Sequence, residues 1–301
     1  MQINHICGNA YYIDAPVNLG LLINRQQEVL LIDTGIDDSV GRKVKRLLED
    51  RGWILKAIFI THHHADHTGG APFLVRATGA TVYSGRIEKG FIEYPLTEPL
   101  YLSGGASPPA SLRNKFFLAA GIKVDVTVET GECIADWDCR IIDLSGHSMG
   151  QLGLLTVDGV LFAGDALIGS EYIIKHGIPL NADIELTLAS YQRLLVINPA
   201  YLLLGHGGLS SDANSLLSLN QTRIAEICDL MQTVVFAHRS WEDILAVIAN
   251  KTNMPINNQG QYALANLSAT AYISYLQQQG LVTTEYIEGR QILSTNLVNP
   301  K

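Results

Sequence analysis

The sequence has little charge and little cysteine, and each shortage excludes a class of protein. Only 17% of its 301 residues are charged and 47% are hydrophobic, which is typical of a compact globular chain and excludes a disordered one. The formal net charge is -8, whereas binding to phosphate groups needs clustered Lys and Arg. Nucleic-acid binding is therefore not expected. The four cysteines form no CxxC pair, which indicates free, mostly buried thiols in a reducing cytosol.

Long apolar runs are missing as well. No stretch approaches 18 uninterrupted apolar residues, so we predict no membrane-spanning helix. The opening MQINHICGNAYYID has neither a basic start nor an apolar segment, so we expect no signal peptide and a cytoplasmic location. The chain length suggests about two domains at roughly 150 residues each.

Strand and helix patterns alternate along the first two thirds of the chain. Apolar, β-branched runs predict strands at 17–24, 28–35, 56–60, 81–84, 122–128, 139–144, 152–158, 159–164 and 201–205. Amphipathic stretches predict helices at 37–52, 70–79 and near 183–197. The pair Asp158-Gly159 between two strands is a hairpin signal. Two groups of strands, each with helices, indicate an α/β protein with two packed sheets and helices outside.

Two segments depart from this rhythm. Residues 85–120 mix Pro, Gly and aromatic residues without a clear period, so we predict an irregular insertion. From about residue 211 the pattern becomes helical and ends in a β-hairpin that turns at Glu288-Gly289. We therefore predict a catalytic domain over 1–210, with the insertion at 85–120, and a helical, winged-helix-like region over 211–301.

One short loop concentrates metal-binding side chains. Residues 61–70 read THHHADHTGG, directly after the predicted strand 56–60. Residues i and i+2 of an extended segment point the same way, so His62 and His64 can serve one metal. Asp66 and His67 come after the chain turns and can serve a second metal.

Three further ligand-type residues follow predicted strands. They are His147 in LSGHS, Asp165 in FAGD and His206 in LLLGHGG, each beside a glycine. Strand ends hold side chains rigidly, as a preorganised metal site requires. Imidazole and carboxylate without thiolate suit Zn²⁺ and also Fe or Mn. Seven ligands are too many for one tetrahedral ion but suit two metals that share a bridging carboxylate.

These motifs resemble those of the metallo-β-lactamase superfamily. The order is LIDTG (31–35), THHHADH (61–67), SGHS (145–148), AGD (163–165) and GHG (205–207). The resemblance implies a four-layer αββα sandwich with the site at one edge. It also implies that His62, His64 and His147 bind the first metal, that Asp66, His67 and His206 bind the second, and that Asp165 bridges them. Asp33 matches an aspartate that supports the ligands, and His63 stands at a variable position and is not expected to be a ligand.

Such a site implies hydrolysis. Two divalent ions can lower the pKa of a bridging water toward ~7, and the resulting hydroxide attacks a carbonyl carbon or a phosphorus. Asp66, beside the nucleophile, is the candidate proton shuttle, and Asp165 is the second candidate catalytic residue. Ser148 is expected to be a hydrogen-bonding serine and not a nucleophile. Of the histidines outside the site, His176 lies closest behind Asp165 in the chain.

The predicted substrate is a small, acyl-bearing ester, thioester or lactone. THHHADHTGG is similar to the glyoxalase II form of the motif, although basic residues for glutathione have no clear counterpart. Ile168 stands where homoserine lactonases carry a tyrosine. One or two of the aromatic residues of the insertion are expected to line the entrance. These aromatic residues are Phe91, Tyr94, Tyr101, Phe116 and Phe117.

Three other interpretations stay open. The first is an endoribonuclease-like phosphodiesterase, which the three basic and four acidic residues of 240–301 oppose. The second is an iron persulfide dioxygenase, which uses only the first metal's ligands. The third is a non-catalytic, metal-stabilised binding module. The expected partner is a small-molecule substrate, with no nucleic acid and no membrane, and a homodimer is left open. Residues 212–301 are expected to pack against the rim of the site or a second subunit.

Overall fold

The computed structural model describes residues 1–236 and 239–295, apart from the side chains of Ala135, His176 and Arg239. Within these residues the strands and helices follow in chain order. The strands are β1 (Ile3–Cys7), β2 (Ala10–Ile13), β3 (Leu19–Ile23), β4 (Glu28–Ile32), β5 (Ile54–Ile60), β6 (Thr81–Gly85), β7 (Val126–Val128), β8 (Cys133–Ile134), β9 (Cys139–Asp143), β10 (Leu152–Thr156), β11 (Val160–Phe162), β12 (Tyr201–Leu203), β13 (Leu209–Ser210), β14 (Arg239–Ser240), β15 (Val282–Ile287) and β16 (Arg290–Thr295). The α-helices are α1 (Asp38–Glu49), α2 (Ala65–Thr68), α3 (Ala71–Thr78), α4 (Arg86–Glu93), α5 (Thr97–Leu102), α6 (Ser170–His176), α7 (Ile184–Ile197), α8 (Ala213–Val235), α9 (Trp241–Thr252) and α10 (Gln259–Gln278).

Two sheets form the centre of the molecule. The first runs in the order β1-β2-β3-β4-β5-β6-β7, and the second in the order β13-β12-β11-β10-β9-β8. Phe59 of the first sheet and Phe162 of the second are fully buried in one apolar cluster, so the sheets pack face to face. The hairpin predicted at Asp158-Gly159 joins β10 and β11 in antiparallel pairing.

Helices cover the outer face of each sheet. Along β4, Leu30 faces the space between the sheets, while Leu31 packs in the cluster that holds Leu48 of α1 and Leu74 of α3. This alternation follows from the two-residue period of a strand. On the second sheet, Leu161 packs in the cluster that holds Leu194 of α7. The predicted four-layer αββα sandwich is confirmed.

Strand direction places the loops that carry the motifs at one edge. β4 and β5 are parallel, so Asp33 and His62 follow strand ends that lie side by side. β11 and β12 are parallel in the second sheet, and β10 is antiparallel to both β9 and β11. The carboxyl ends of β9, β11 and β12 therefore share an edge. A hydrogen bond from Leu152 N to Thr61 O, 3.0 Å long, joins the two sheets there.

The structure corrects the predicted irregular insertion at 85–120. Its first part is helical, with α4 and α5 separated by a short turn. Pro99 lies at the third position of α5, where a backbone N–H has no partner within the helix, so the proline that suggested irregularity is compatible with it. Most of 103–120 is irregular, apart from a 3₁₀ turn at Ala110–Leu112.

Three smaller expectations also change. The strand predicted at 122–128 is limited to β7, and the unpredicted β1 and β2 pair at the edge of the first sheet. The cysteines are free, but only Cys139 is fully buried and Cys133 is exposed. Among the described residues, no helix is both long and apolar enough to cross a membrane.

The C-terminal region contains the predicted helices and hairpin. β15 and β16 pair antiparallel around Glu288 and Gly289, which both have positive φ, as a tight hairpin turn requires. The third sheet has the order β14-β16-β15. Met231 of α8 and Tyr272 of α10 belong to the same apolar cluster as Leu161 of the second sheet. The C-terminal region therefore shares a core with the sandwich, and the boundary at 210 and the winged-helix resemblance stay predictions.

Candidate metal centre

The loop after β5 brings the first group of ligand-type atoms together. His62 Nε2 and His64 Nδ1 lie 3.0 Å apart, and His147 Nε2, from the loop after β9, lies 2.9 Å from the same His64 nitrogen. His62 is fully buried and His147 nearly so. The spacing of i and i+2 thus points both loop histidines to one place, where they meet His147.

The short helix α2 supplies the second group. Asp66 and His67 lie on this helix, and His206 follows β12 in the other sheet. Asp66 Oδ2 lies 3.2 Å from His206 Nε2. The ligand atoms of Asp66, His67 and His206 all lie within 4.8 Å of one another.

Asp165 lies between the two groups. Its Oδ2 is 3.4 Å from His67 Nε2 and 3.6 Å from the Nε2 atoms of His147 and His206. One carboxylate oxygen therefore faces histidines of both groups, as a bridging ligand would. The structure brings all seven predicted residues together, and their role as ligands stays a prediction.

Hydrogen bonds behind the ligands fix which imidazole nitrogen faces the centre. His67 Nδ1 donates to Asp33 Oδ2 at 2.8 Å, and His147 Nδ1 donates to Leu180 O at 2.7 Å. Each ring therefore keeps its proton on Nδ1 and turns Nε2 to the centre. Asp33 has a positive φ of 60° and also accepts from Thr61 N at 2.9 Å, so it is held from two sides.

Charge in the first group suits a cation. Burial, and then the neighbouring histidines, lower the pKa values of His62 and His64 well below the usual range, and burial also lowers the pKa of His147. These rings are therefore neutral, which is the form that binds metal. His64 Nδ1 faces two imidazole nitrogens at once and can share a hydrogen with only one of them. A cation would accept lone pairs from all three.

Asp165 and the second group carry the negative charge. Burial raises the pKa of Asp165, but His67 and His206 outweigh it and lower the pKa. Burial opposes protonation of His67, yet Asp165 and Asp33 raise its pKa well above the usual range. Asp165 Oδ1 and His67 Nε2 are buried without a hydrogen-bond partner among the described residues. The donor set, with nitrogen and carboxylate oxygen and no thiolate, fits two divalent ions.

Glu88 is part of the site but did not stand out in the sequence. This fully buried carboxylate accepts from Ser148 Oγ at 2.9 Å and pairs with His63 Nδ1 at 2.5 Å. Ser148 is thus the hydrogen-bonding serine expected, and His63 is turned to Glu88. Glu88 lies in the segment predicted to be irregular, and no local motif marks a contact between residues 60 positions apart.

Aromatic side chains flank the centre on two sides. The Phe91 ring stacks on His63 with centroids 4.2 Å apart, and Tyr101 meets Phe91 edge-on at 5.9 Å. Tyr172 of α6 lies 5.0 Å from the ring of His206. Of the other aromatic residues of the insertion, Tyr94 and Phe116 are exposed. The side chain of His176, singled out in the sequence, and His238 lie outside the described residues.

The C-terminal region packs on the loop that follows Asp165. Asn220 of α8 donates to Ile168 O at 3.0 Å and accepts from Ile168 N at 3.2 Å. Arg223 Nε donates to Gly177 O at 3.0 Å. Phe117 lies against Gly260 of α10. The C-terminal region thus contacts the loop after Asp165 and the insertion, and its packing on the rim of the site or on a second subunit stays a prediction.

Comparisons with known proteins agree with this geometry. The family model described as the metallo-beta-lactamase superfamily matches residues 13–206. A hydroxyacylglutathione hydrolase from Methylobacillus flagellatus is 30% identical over 150 residues, which are 50% of this chain and 47% of that protein. The probable metallo-hydrolase YflN from Bacillus subtilis is 29% identical over 220 residues, or 66% of this chain and 80% of that protein. The chain thus spans about half the length of the first of these relatives.

Solved structures extend the likeness over the whole fold. A beta-lactamase domain protein from Burkholderia ambifaria superposes with a TM-score of 0.78 at 17% identity, covering 97% of this chain and 94% of that one. A metallo-beta-lactamase family protein from Thermus thermophilus gives a TM-score of 0.74 at 19% identity, covering 96% and 99%. At such identities the likeness shows the fold alone.

Proposed function

Because the chain belongs to the metallo-beta-lactamase superfamily, we propose that it is a dinuclear metal-dependent hydrolase that cleaves a small ester, thioester or lactone. One observation carries the proposal. Asp165 Oδ2 lies between a group of three histidines and a group that contains a second carboxylate. In this proposal His62, His64 and His147 would hold one ion, Asp66, His67 and His206 would hold the other, and Asp165 would serve both.

The chemistry divides between the ions and the side chains. When bound, two divalent ions would lower the pKa of a water from 15.7 toward ~7 and would polarise the acyl carbonyl. Asp66 would help to hold the second ion, and its carboxylate, whose Oδ2 lies 3.2 Å from His206 Nε2, would accept the proton of the attacking water. Asp66 then returns that proton to the leaving group. Asp33 and Leu180 O keep the imidazole rings oriented while charge develops at the carbonyl.

The preference for an acyl group comes from the aromatic flank. Phe91 and Tyr101 lie beside His63, next to the ligand His64, and the stack offers apolar area to an acyl chain. Burying such a chain gains roughly 25 cal/mol per Å² of apolar surface. Relatives named hydroxyacylglutathione hydrolase support an acyl substrate, and that name describes a thioester.

A substrate panel tests this function. The purified, zinc-loaded protein is offered short-chain thioesters, lactones, p-nitrophenyl esters and bis-p-nitrophenyl phosphate. We expect kcat/KM for the best acyl substrate to exceed that for the phosphodiester by at least about 100-fold, which corresponds to ~2.7 kcal/mol. Asp165→Ala serves as the inactive reference.

Each alternative predicts a different experimental result. Faster cleavage of the phosphodiester would replace the acyl hydrolase by a phosphodiesterase. Full activity with one iron per chain, and oxygen consumption with a persulfide, would favour the dioxygenase. Metal binding without turnover of any substrate would leave the non-catalytic binding module.

A further inference from the structure

A single buried carboxylate ties together the two loops that carry the first group of histidines. Glu88 on α4 is fully buried, and its Oε2 accepts from the backbone N of His63 at 2.9 Å and from His63 Nδ1 at 2.5 Å. Its Oε1 accepts from Ser148 Oγ and from Gly150 N, both at 2.9 Å. The side chain is therefore surrounded by four donors, two from each loop.

The donors of these hydrogen bonds lie next to the predicted ligands of the first site or near them in the chain. His63 lies between His62 and His64, and Ser148 directly follows His147. A shift of either loop would stretch hydrogen bonds to the other through Glu88. Farther along the same sheet edge, the bond from Leu152 N to Thr61 O connects these two segments as well.

Only a carboxylate satisfies this arrangement. It has about four lone-pair sites and no donor, whereas a glutamine amide would turn an NH₂ group toward donors on one side. Burial raises the pKa of Glu88, but the bonds from His63, Ser148 and the backbone outweigh burial and lower it. Burying a charge is costly unless it is paired. The buried charge of Glu88 therefore holds the two loops through its hydrogen bonds and does not only fill space.

From this geometry we propose that Glu88 is a positioning residue that sets the metal affinity of the first site, formed by His62, His64 and His147. The inference rests on the proposed metal centre, but not on the identity of the substrate. Glu88 touches neither metal nor substrate. It acts by holding the spacing between the His62–His64 loop and the His147 loop.

The helix α4 also links these four hydrogen bonds of Glu88, which we call the clamp, to the aromatic flank. Glu88 and Phe91 are three residues apart on α4, so they lie on one side of the helix. Both contact His63, the first by hydrogen bonds and the second by ring stacking. The segment that forms the apolar flank therefore also fixes the first group of ligands.

The test measures zinc affinity at each site separately. His206→Ala removes a ligand of the second site and leaves the first to be titrated, and His64→Ala does the reverse. Glu88→Gln is placed in both backgrounds, and affinity is measured by competition with a chromophoric chelator. We expect a ~10–100-fold weaker first site, as for other residues that orient metal ligands, and less than about a three-fold change at the second.

A control on the same helix separates positioning from general damage. Glu93 accepts from Val124 N at 3.0 Å and lies away from both loops, so Glu93→Gln should leave both affinities unchanged. The Co²⁺ absorption bands of the first site should change in Glu88→Gln and stay as in wild type in Glu93→Gln. Equal loss at both sites, or unchanged affinity and spectrum in Glu88→Gln, would overturn the proposal.

A second variant decides the question if Glu88→Gln does not fold. Ser148→Ala removes one of the four bonds, and we expect the first site to weaken several-fold with a smaller effect than Glu88→Gln. Unchanged affinity in Ser148→Ala would count against the clamp. Wild-type protein that binds zinc but hydrolyses nothing would contradict the proposed function while leaving this inference intact.

Discussion

His67 donates a hydrogen bond from Nδ1 to Oδ2 of Asp33 across 2.8 Å, and both residues are buried. This bond directs His67 Nε2 to Asp165, and Asp33 is itself fixed by Thr61. The aspartate at the end of β4 therefore orients a ligand-type histidine that lies 34 residues later in the chain.

Replacement of Asp33 should weaken metal binding without unfolding the protein. Asp33→Asn keeps the shape and suits the positive φ, which Asn tolerates better than Ala. Because an amide holds the His67 tautomer less firmly, we expect ~10–100-fold lower metal affinity or activity. Zinc titration and the thermal midpoint are compared with those of the wild type. Wild-type affinity in Asp33→Asn would mean that the bond does not orient the ligand.

The aromatic flank should set the preference for acyl length. Phe91→Ala removes the ring that stacks on His63, and we expect KM to rise more for long-chain than for short-chain acyl esters. Tyr94→Ala is the matched control, because Tyr94 lies in the same segment and is 71% exposed. Kinetics over a series of chain lengths checks this. Parallel losses at all lengths would show that Phe91 acts only through His63.

Glu98 should make the stability depend on pH. This carboxyl of α5 is 6% exposed, and burial, followed by the nearby Asp66 and Glu88, raises its pKa well above the usual range. Between pH ~4.5 and the higher pKa of the folded state, the folded protein holds a proton on Glu98 that the unfolded chain has lost. The free energy of unfolding therefore falls as pH rises through this range. Glu98→Gln should stabilise the metal-free protein at pH 8 and have no effect at pH 4.

Thermal unfolding at the two pH values measures this effect. An increase on the order of 2 °C or more at pH 8 is expected, since ~1 kcal/mol shifts the midpoint by roughly 2–4 °C in domains of 150–250 residues. The exposed Glu285→Gln should change neither midpoint. A lower midpoint for Glu98→Gln at pH 8 would show that the ionised carboxylate is stabilised by a partner.

The C-terminal helix α8 should support the loop after Asp165. Asn220 is 1% exposed and bonds both the N and the O of the partly buried Ile168, so Asn220→Ala removes both of these bonds. We expect a loss of stability of about 0.5–1.5 kcal/mol per lost bond and a lower kcat. Asn214→Ala, on an exposed turn of the same helix, is the control. If Asn220→Ala lowered the stability but left kcat normal, the C-terminal region would not contribute to catalysis.

The positions of the ligands could be predicted because they depend on strand ends. The apolar runs before Asp33, His62, Asp165 and His206 mark strands, and parallel strands place their carboxyl ends at one edge. What holds the ligands could not be predicted. Glu88 contacts residues 25 and 60 positions away, and Leu180 contributes only a backbone oxygen, so neither leaves a local pattern.

The elements that were missed have local causes. Pro95 and Pro99 suggested irregular structure, although one follows α4 and the other occupies the first turn of α5. β1 lies at the edge of the first sheet and mixes polar with apolar residues, and β2 is only four residues long, so neither shows the longer apolar run that marks β4 and β5. The shared core of α8, α10 and the second sheet depends on tertiary packing.

The central claim is that seven side chains, Asp165 among them, hold two ions that act together. Titration of the metal-free protein with Zn²⁺, with the initial rate of hydrolysis of a short-chain thioester as the signal, tests it most directly. The account predicts a rate that rises to a break at two equivalents per chain, and no rise in Asp165→Ala. A break at one equivalent, or full activity in Asp165→Ala, would contradict it.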